Sequence, residues 1–474
     1  MILEILLLLG LLCLWFYHYC TKQFDEFKKR GMPFAKPSFP FGSRNAKKAL
    51  MGEVSFFDVD RMLAENEFKD EKIFGYFVMG QPTVVINDEE LAKKVLIKDF
   101  EHFTDLRPFG YDAETKDAQI VKSMMTNLKG DKWKKIRSIM SPVFASGKLK
   151  LMAPHIIKCG EHLESYIGPI VERGEEIEAR NLASFFTVDS MATAGYGLEI
   201  NSFANPENTF RRMCLSLVGA PGYGSSMDMA RAVFIMTAPG LAKLLGVPMF
   251  PKKPAKFLQD IIEKTYRHRI ESGEKRNDII DVIVEEMKNN DLSKDFKEED
   301  KEIILVAQAF VMFFAGFDSI SIGLAMVIHN LVIHQDVQDK LLAEIDNVLE
   351  ETGGEVTYET VQNMDYLHRV IQESGRLVNG RNYYCILICL SIIGTITCFL
   401  AMKGFAPRTT LSLKPISPYQ KAGLSRFSSM PWKMMKKTTR TQNALILIIS
   451  SPRMNPISLL TRHLDKGQGH VRVK

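Results

Sequence analysis

The amino-acid sequence predicts a mainly helical protein with a small amount of β-structure. Apolar residues recur at helical spacing within residues 149–290, 337–350 and 365–377. A central pattern that starts near residue 299 and passes residue 329 is apolar on most faces, as in a helix buried in a large protein. Residues 75–86 are richer in β-branched and aromatic residues, and their Gly-Gln-Pro turn predicts a hairpin.

Length and charge set the broad class of the protein. At 474 residues the chain can bury a large core, and its formal net charge is +5. From Lys403 onward there are fourteen Lys and Arg against one acidic residue, Asp465. Such a shift indicates a separate domain, a basic tail or a different origin for the segment. The seven cysteines lack zinc-site spacing and favour a reducing compartment over a disulfide scaffold.

The N-terminal stretch predicts a membrane anchor. Residues 2–17 are apolar except for Glu4, and no small-residue cleavage site follows them. A basic group comes next, made up of Lys22, Lys28, Lys29 and Arg30. We interpret residues 1–20 as an uncleaved signal anchor whose basic flank holds the following domain in the cytosol. The alternative is a buried N-terminal helix. Residues 21–42 contain three prolines and predict a stiff hinge.

Residues 130–137 contain Trp133 and Arg137, which would share a face if this stretch is helical. Because these residues are four apart, their side chains share one face of the helix. An indole N–H beside a guanidinium makes a donor pair suited to a carboxylate ligand. An ordinary aromatic–cation pair at the surface is the alternative, and it is favoured if this pair is considered alone.

Small and polar residues interrupt the central helix. Ala315 and Gly316 reduce its bulk, and Asp318 and Ser319 follow directly. A glycine in a helix costs about 1 kcal/mol relative to alanine. An uncompensated buried carboxylate costs more. We therefore predict that this point provides room for a flat ligand, with a polar pair beside it.

A later predicted helix, residues 365–377, contains Glu373 and Arg376. A spacing of three places the two side chains on adjacent turns, where they can form an ion pair. Most such pairs are solvated and contribute little, so the pair alone indicates only a charged helix face.

Taken in order, these features resemble the cytochrome P-450 haem-thiolate monooxygenases of the membrane-anchored microsomal type. The shared motifs are the anchor and hinge, W-x-x-x-R at Trp133 and Arg137, A-G-x-D-[T/S] at 315–319, and E-x-x-R at Glu373 and Arg376. Each motif is weak by itself. The ordered set is specific, and it covers roughly residues 1–379.

The resemblance implies a mainly α fold with small β-sheets, the cytochrome P-450 fold, truncated on its C-terminal side. It implies haem as cofactor and electrons from NADPH through a cytochrome reductase. The implied reaction inserts one oxygen atom of O₂ into an apolar small molecule. The implied location is the endoplasmic reticulum membrane, in contact with lipid, with the catalytic domain facing the cytosol. No nucleic-acid partner is expected.

The resemblance also implies how the motif residues would contact the cofactor. Trp133 and Arg137 would bond the haem propionates. Ala315 and Gly316 would let the porphyrin and O₂ lie close to the central helix. Substrate specificity would depend on the loops and helices around residues 103–122 and 201–250.

Two further pairs receive roles by the same resemblance. Asp318 and Ser319 would form an acid–hydroxyl relay that delivers protons, a general-acid function. The family usually has Thr at the Ser319 position, and Ser keeps the hydroxyl but loses the methyl group that stiffens the rotamer. Glu373 and Arg376 would be structural and would lock their helix to a later loop.

The family's haem ligand is absent from the sequence. That ligand is a cysteine in F-x-x-G-x-R-x-C-x-G, whose thiolate favours O–O cleavage, and no such motif occurs here. The last cysteine, Cys398, lies in the uncharged stretch 383–402, which is long enough for a transmembrane helix. No metal ligand is assigned, and we expect the chain as written to be inactive.

A shift of reading frame accounts for the tail. Each new codon is formed from the last base of one codon and the first two bases of the next. Residues 463–473 then permit F-G-Q-G-P-R-T-C-P-G, and three upstream windows permit other family-like segments in the right order. We interpret 43–379 as the in-frame domain, 380–403 as translated intron, and 404–474 as a basic tail from an out-of-frame exon.

Two other readings stay open. In one, the tail is a real domain and residues 383–402 form a second transmembrane helix. The protein would then be a non-catalytic, membrane-anchored relative that acts only by binding. In the other, the central helix is ordinary core and the motifs are coincidental, which their order argues against.

Overall fold

The structure is a computed structural model, and it falls into two compact units. The first comprises residues 1–109, 233–241 and 418–474, and the second comprises 110–232 and 242–417. The residues that the structure describes are 2–39, 42–43, 59, 61–78, 80–106, 116–175, 177–218, 231, 234–235, 239–290, 296–297, 300–377 and 447–450. They are mainly helical with one small sheet, which confirms the predicted fold class.

The first unit begins with two helices. Helix α1 (Ile2–Thr21) is apolar along its length, and α2 (Glu26–Lys29) is a single turn. Leu3, Leu7 and Leu14 of α1 are 79%, 68% and 66% exposed. The predicted helix is therefore present, and its apolar surface is not covered by the rest of the unit.

The described strands of this unit are β1 (Pro37–Ser38), β2 (Gly42–Ser43), β3 (Ile73–Val78), β4 (Gln81–Ile86) and β5 (Leu447–Ser450). They form one sheet in the order β1-β2-β3-β4-β5, with every neighbouring pair antiparallel. The predicted hairpin is confirmed, because Val78 pairs with Gln81 and the pairing extends to Ile73 opposite Ile86. Gly80 in the turn has φ +75°, a conformation that favours glycine.

Strand β5 is the part of the basic tail that the structure describes. It pairs along β4 from Thr83 opposite Ser450 to Ile86 opposite Leu447. The rest of 404–474 and the whole of 380–403, including the uncharged stretch 383–402, lie outside the described residues.

Helices form the second unit. Those described are α4 (Lys116–Ser123), α5 (Gly130–Met140), α6 (Ser146–Glu172), α7 (Ala179–Tyr196), α8 (Thr209–Val218), α10 (Lys252–Ser272), α11 (Ile279–Asn289), α12 (Lys301–Ile333), α13 (Gln335–Glu351), α14 (Tyr358–Gln362) and α15 (Asp365–Leu377). Helix α3 (Glu89–Lys93) belongs to the first unit, and α9 (Pro239–Leu244) has residues from both.

Helix α12 is the central element of the second unit, as its apolar pattern predicts. It packs most extensively on α7, whose residues from Leu182 to Tyr196 are all buried. Helix α12 is also long and apolar enough to be considered as a membrane span. Because 67% of its most apolar window is buried inside the protein, we assign it to the core.

Polar contacts fix the position of α12 and of its neighbours. The buried Gln308 side chain donates to the carbonyl of Ser123 at 2.7 Å and accepts from the amide of Met125 at 3.0 Å. This ties the end of α4 to α12. The Glu344 carboxylate on α13 accepts from the amides of Tyr366 and Leu367, both at 2.8 Å. A carboxylate at that position satisfies free N–H groups at the start of α15.

A buried hydroxyl links α7 to α12. Tyr196 is 2% exposed, and its hydroxyl donates to the carbonyl of Ala309 at 3.0 Å. We predict that Tyr196→Phe lowers the free energy of unfolding by about 1 kcal/mol, since the ring is kept and one buried hydrogen bond is lost. Urea unfolding measures this change.

Tyr358→Phe is the matched control. The Tyr358 hydroxyl forms no hydrogen bond with any residue that the structure describes, so the same chemical change should leave stability nearly unaltered there. Equal losses for the two variants would contradict the importance of the Tyr196 hydrogen bond.

Candidate functional site

Residues 315–319 of α12 include some that are exposed or half-buried and some that are buried. Ala315 is exposed, Asp318 and Ser319 are half-buried, and Gly316 is buried. Ala315 and Ser319 are four residues apart, so they lie one turn apart on the same face. This partly open face is where the sequence predicts a flat ligand with a polar pair beside it.

Gly316 permits close packing between helices. A Cβ atom at this position would lie 3.1 Å from Cε and 3.2 Å from Sδ of Met191 on α7. Helix packing therefore explains why a glycine stands at this position, and the sequence alone does not show this. Its predicted contact with a porphyrin stays a prediction, and the Cβ direction at Gly316 favours α7 as its neighbour.

The Ser319 hydroxyl bonds within its own helix. Its Oγ donates to the carbonyl oxygen of Ala315 at 2.5 Å, the pattern in which a helical Ser bonds four residues back. The hydroxyl proton is thereby occupied, while the oxygen can still accept a hydrogen bond from a ligand on the open face.

Arg180 on α7 compensates the Asp318 carboxylate. Its Nη2 donates to Asp318 Oδ1 at 2.5 Å, and the two side chains are 32% and 35% exposed. A hydrogen-bonded ion pair offsets the free-energy cost of placing a carboxylate in an apolar helix. Sequence reasoning missed Arg180, because 138 residues separate it from Asp318 and no local pattern connects them.

Trp133 and Arg137 lie on α5, as predicted. Trp133 is half-buried and Arg137 is exposed. Within the described part of the chain, the Arg137 guanidinium forms no hydrogen bond or ion pair, so it can bind an anion. This is compatible with the predicted propionate contact, which stays a prediction.

Glu373 and Arg376 both belong to α15. Glu373 is exposed, and the side chain of Arg376 lies outside the described residues. Their predicted pairing stays a prediction. The Glu344 contact with the start of α15 is an additional positioning feature that the spacing of charged residues did not predict.

The described residues fit a haem only in part. An exposed Arg137 and a small residue at 315 suit a propionate and a flat ring, but a haem-thiolate centre also needs an accessible thiolate. Burial raises the pKa of the Cys159 thiol to about 12, and it raises the pKa of Cys214 well above its usual value. Cys13 and Cys20 are in α1. None of these four described cysteines suits an axial ligand.

Comparisons with known proteins point to one family. A family model described as cytochrome P-450 matches residues 48–381. The chain is 30% identical over 383 residues to probable cytochrome P-450 6a20 of Drosophila melanogaster, an alignment that spans 78% of this chain and 72% of the relative. Cytochrome P-450 6a2 from the same fly is 31% identical over 380 residues, with 79% and 72% covered. Cytochrome P-450 9e2 of Blattella germanica is 31% identical over 384 residues, with 75% and 70% covered.

The Arg180–Asp318 pair generates a prediction about stability. A double-mutant cycle with Arg180→Met and Asp318→Asn should give a coupling energy of about 1 kcal/mol, because the pair is partly removed from water and hydrogen-bonded. Urea unfolding of the single and double variants measures it.

The Arg173–Glu175 pair supplies the control for this cycle. Both of its side chains are 54% exposed, so solvent screens the pair and its coupling energy should be clearly smaller than that of Arg180–Asp318. If the Arg180–Asp318 coupling is no larger than the Arg173–Glu175 coupling, the pair does not secure α7 to α12.

Proposed function

Because the chain belongs to the cytochrome P-450 family of haem-dependent monooxygenases, we propose that it is a microsomal member cut off from its haem ligand. As written, it would have no monooxygenase activity. One observation carries the proposal: a sequence that matches the family to residue 381 contains no F-x-x-G-x-R-x-C-x-G anywhere.

The end of the family match supports a change of origin near residue 380. The match stops at 381, and the uncharged stretch 383–402 begins immediately afterwards. The sequence predicts an in-frame boundary at about 379. The match to the family model ends within a few residues of it, which supports the proposal.

The shifted frame supports a specific identity for the tail. It permits F-G-Q-G-P-R-T-C-P-G over 463–473, with the cysteine codon spanning His470 and Val471. In the restored frame this cysteine would be the ligand that the described thiols cannot provide. The restored protein would insert one oxygen atom of O₂ into an apolar organic substrate.

The described geometry supports the following roles for this chain's own residues. Arg137 would hold a propionate by charge, and Ala315 would leave space on the open face of α12. Ser319 would accept a hydrogen bond on that face, while Arg180 holds the Asp318 side chain in place beside it. Electrons would come from NADPH through a reductase that docks on a basic surface, to which the exposed Lys134 of α5 contributes.

Helix α1 supports a location in the endoplasmic reticulum membrane. Its 20 residues rise about 30 Å, close to the hydrocarbon thickness of a bilayer. Its apolar side chains are exposed in the first unit, and Lys22, Lys28 and Lys29 follow it directly. The positive charge would keep the catalytic domain on the cytosolic side.

Absorption spectroscopy tests the proposal. The purified full chain, expressed with haem supplied, should show no band characteristic of the thiolate family after reduction and addition of CO. A chain with its final segment in the restored frame should show that band, and it should oxidise an apolar substrate with NADPH and reductase.

A Cys→Ser change at the restored ligand position provides the matched control. It should abolish the band while keeping the rest of the restored segment. The characteristic band from the chain as written would overturn the proposal. Absence of the band from the restored chain would favour the rival, a non-catalytic relative that acts by binding.

A further inference from the structure

The Gln308 side chain is a buried polar group that links α12 to the chain before α5. It is 1% exposed. Its Nε2 atom donates to the carbonyl of Ser123 at 2.7 Å and to that of Ile304, one turn earlier on α12, at 3.2 Å. Its Oε1 atom accepts from the amide of Met125 at 3.0 Å. One side-chain amide therefore bonds the backbone on both sides of Met124, and an apolar residue of similar size could make none of these bonds.

Hydrogen-bonded turns continue from Met125 to the start of α5, five residues further along the chain. The Asn127 side chain donates to the carbonyl of Val121 at 2.6 Å. The amides of Asn127 and Leu128 both donate to the carbonyl of Met124, at 2.8 Å and 3.1 Å. Met124 is 3% exposed, so its side chain anchors these turns in the core. Because the connection is short and internally bonded, the position of Met125 constrains the position of α5.

Gln308 lies on the same side of α12 as the open face. Gln308 and Ala315 are seven residues apart, which is two helical turns and about 10 Å along the axis. Val311 and Met312 lie on the intervening turn, and both are half-buried. The open face therefore starts one turn after Gln308. At this end of the face, Gln308 attaches α12 to the segment that leads into α5.

We propose that Gln308 is a positioning residue for the propionate side of the site. It sets the distance between the open face of α12 and the two α5 residues that are predicted to bond propionates, Trp133 and Arg137. It acts through the turns at 123–128 and does not touch the ligand. The proposal rests on the proposed function, because it concerns the same open face. Its consequence is specific: loss of Gln308 weakens only the binding that depends on the propionates.

A porphyrin with and without free propionates tests this role. Metal-free protoporphyrin IX and its dimethyl ester are titrated into the purified full chain, and porphyrin fluorescence reports binding. Neither probe requires an iron ligand. Gln308→Leu should weaken binding of the diacid about tenfold, as expected for the loss of one hydrogen bond between charged groups. It should leave the affinity for the dimethyl ester unchanged.

Two comparison variants locate the effect. Arg137→Gln removes the predicted propionate partner directly, so it should reproduce the selective loss. Combined with Gln308→Leu it should add little, because both changes act on the same contact. Gln259 is another buried glutamine, 5% exposed on α10, so Gln259→Leu makes the same chemical change in a different helix. It should leave both titrations unaltered.

Gln308→Glu provides a second variant if Gln308→Leu does not fold. It keeps the size of the side chain and the acceptor for the Met125 amide, but it loses the donor to Ser123 when the carboxyl is ionised. It should give a smaller loss that is again confined to the diacid. Hydrogen exchange should be faster across 124–130 in both Gln308 variants and unchanged in Gln259→Leu, which measures the attachment itself.

The outcomes decide between positioning and a purely structural tie. A loss confined to the diacid, shared by Gln308→Leu and Arg137→Gln, supports the proposal. Equal losses for the diacid and the dimethyl ester would overturn it, as would unchanged diacid binding in both Gln308 variants or no diacid binding by the unaltered chain. The CO band that tests the proposed function is measured on the restored chain, so a failure there is distinct from a failure here.

Discussion

The close packing of α7 against α12 is the constraint on which the second unit depends. Gly316 lets Met191 approach the α12 backbone, and Tyr196 bonds across the same contact to Ala309. Both helices are buried over most of their length, so their surfaces must match along several turns. That contact fixes which face of α12 stays partly open. Ala315 and Ser319, which we propose to lie beside the haem, are on that open face.

The packing of α7 against α12 also provides a partner for Asp318, the charged residue in the middle of α12. Arg180 reaches from α7 to Asp318, so the carboxylate is held by a cation rather than left in apolar surroundings. Ser319 meanwhile bonds to its own helix through Ala315. The polar pair is therefore oriented by the protein alone, before any ligand contributes. Among the described cysteines, Cys159 and Cys214 are buried, and burial raises the pKa of both thiols, so neither thiolate forms readily.

Much of this arrangement could be predicted from the sequence, because it depends on short-range patterns. The hairpin at 73–86 follows from alternation and a glycine turn, and α12 follows from an apolar period that continues for many turns. The contacts of Arg180, Met191 and Glu344 could not be predicted in this way. Each joins residues far apart in the chain, so only the packed structure brings them together. The packing role of Gly316 was missed for the same reason, since a single glycine does not reveal its neighbour.

We infer that the chain retains the distal part of a haem site and has lost the haem ligand through a change of reading frame. Sequencing of the transcript across residues 379–474 checks this inference. We expect removable intron bases near 380–403 and, in the shifted frame, a cysteine codon across His470 and Val471. Bases there that cannot encode cysteine, or an uninterrupted exon through this region, would contradict it.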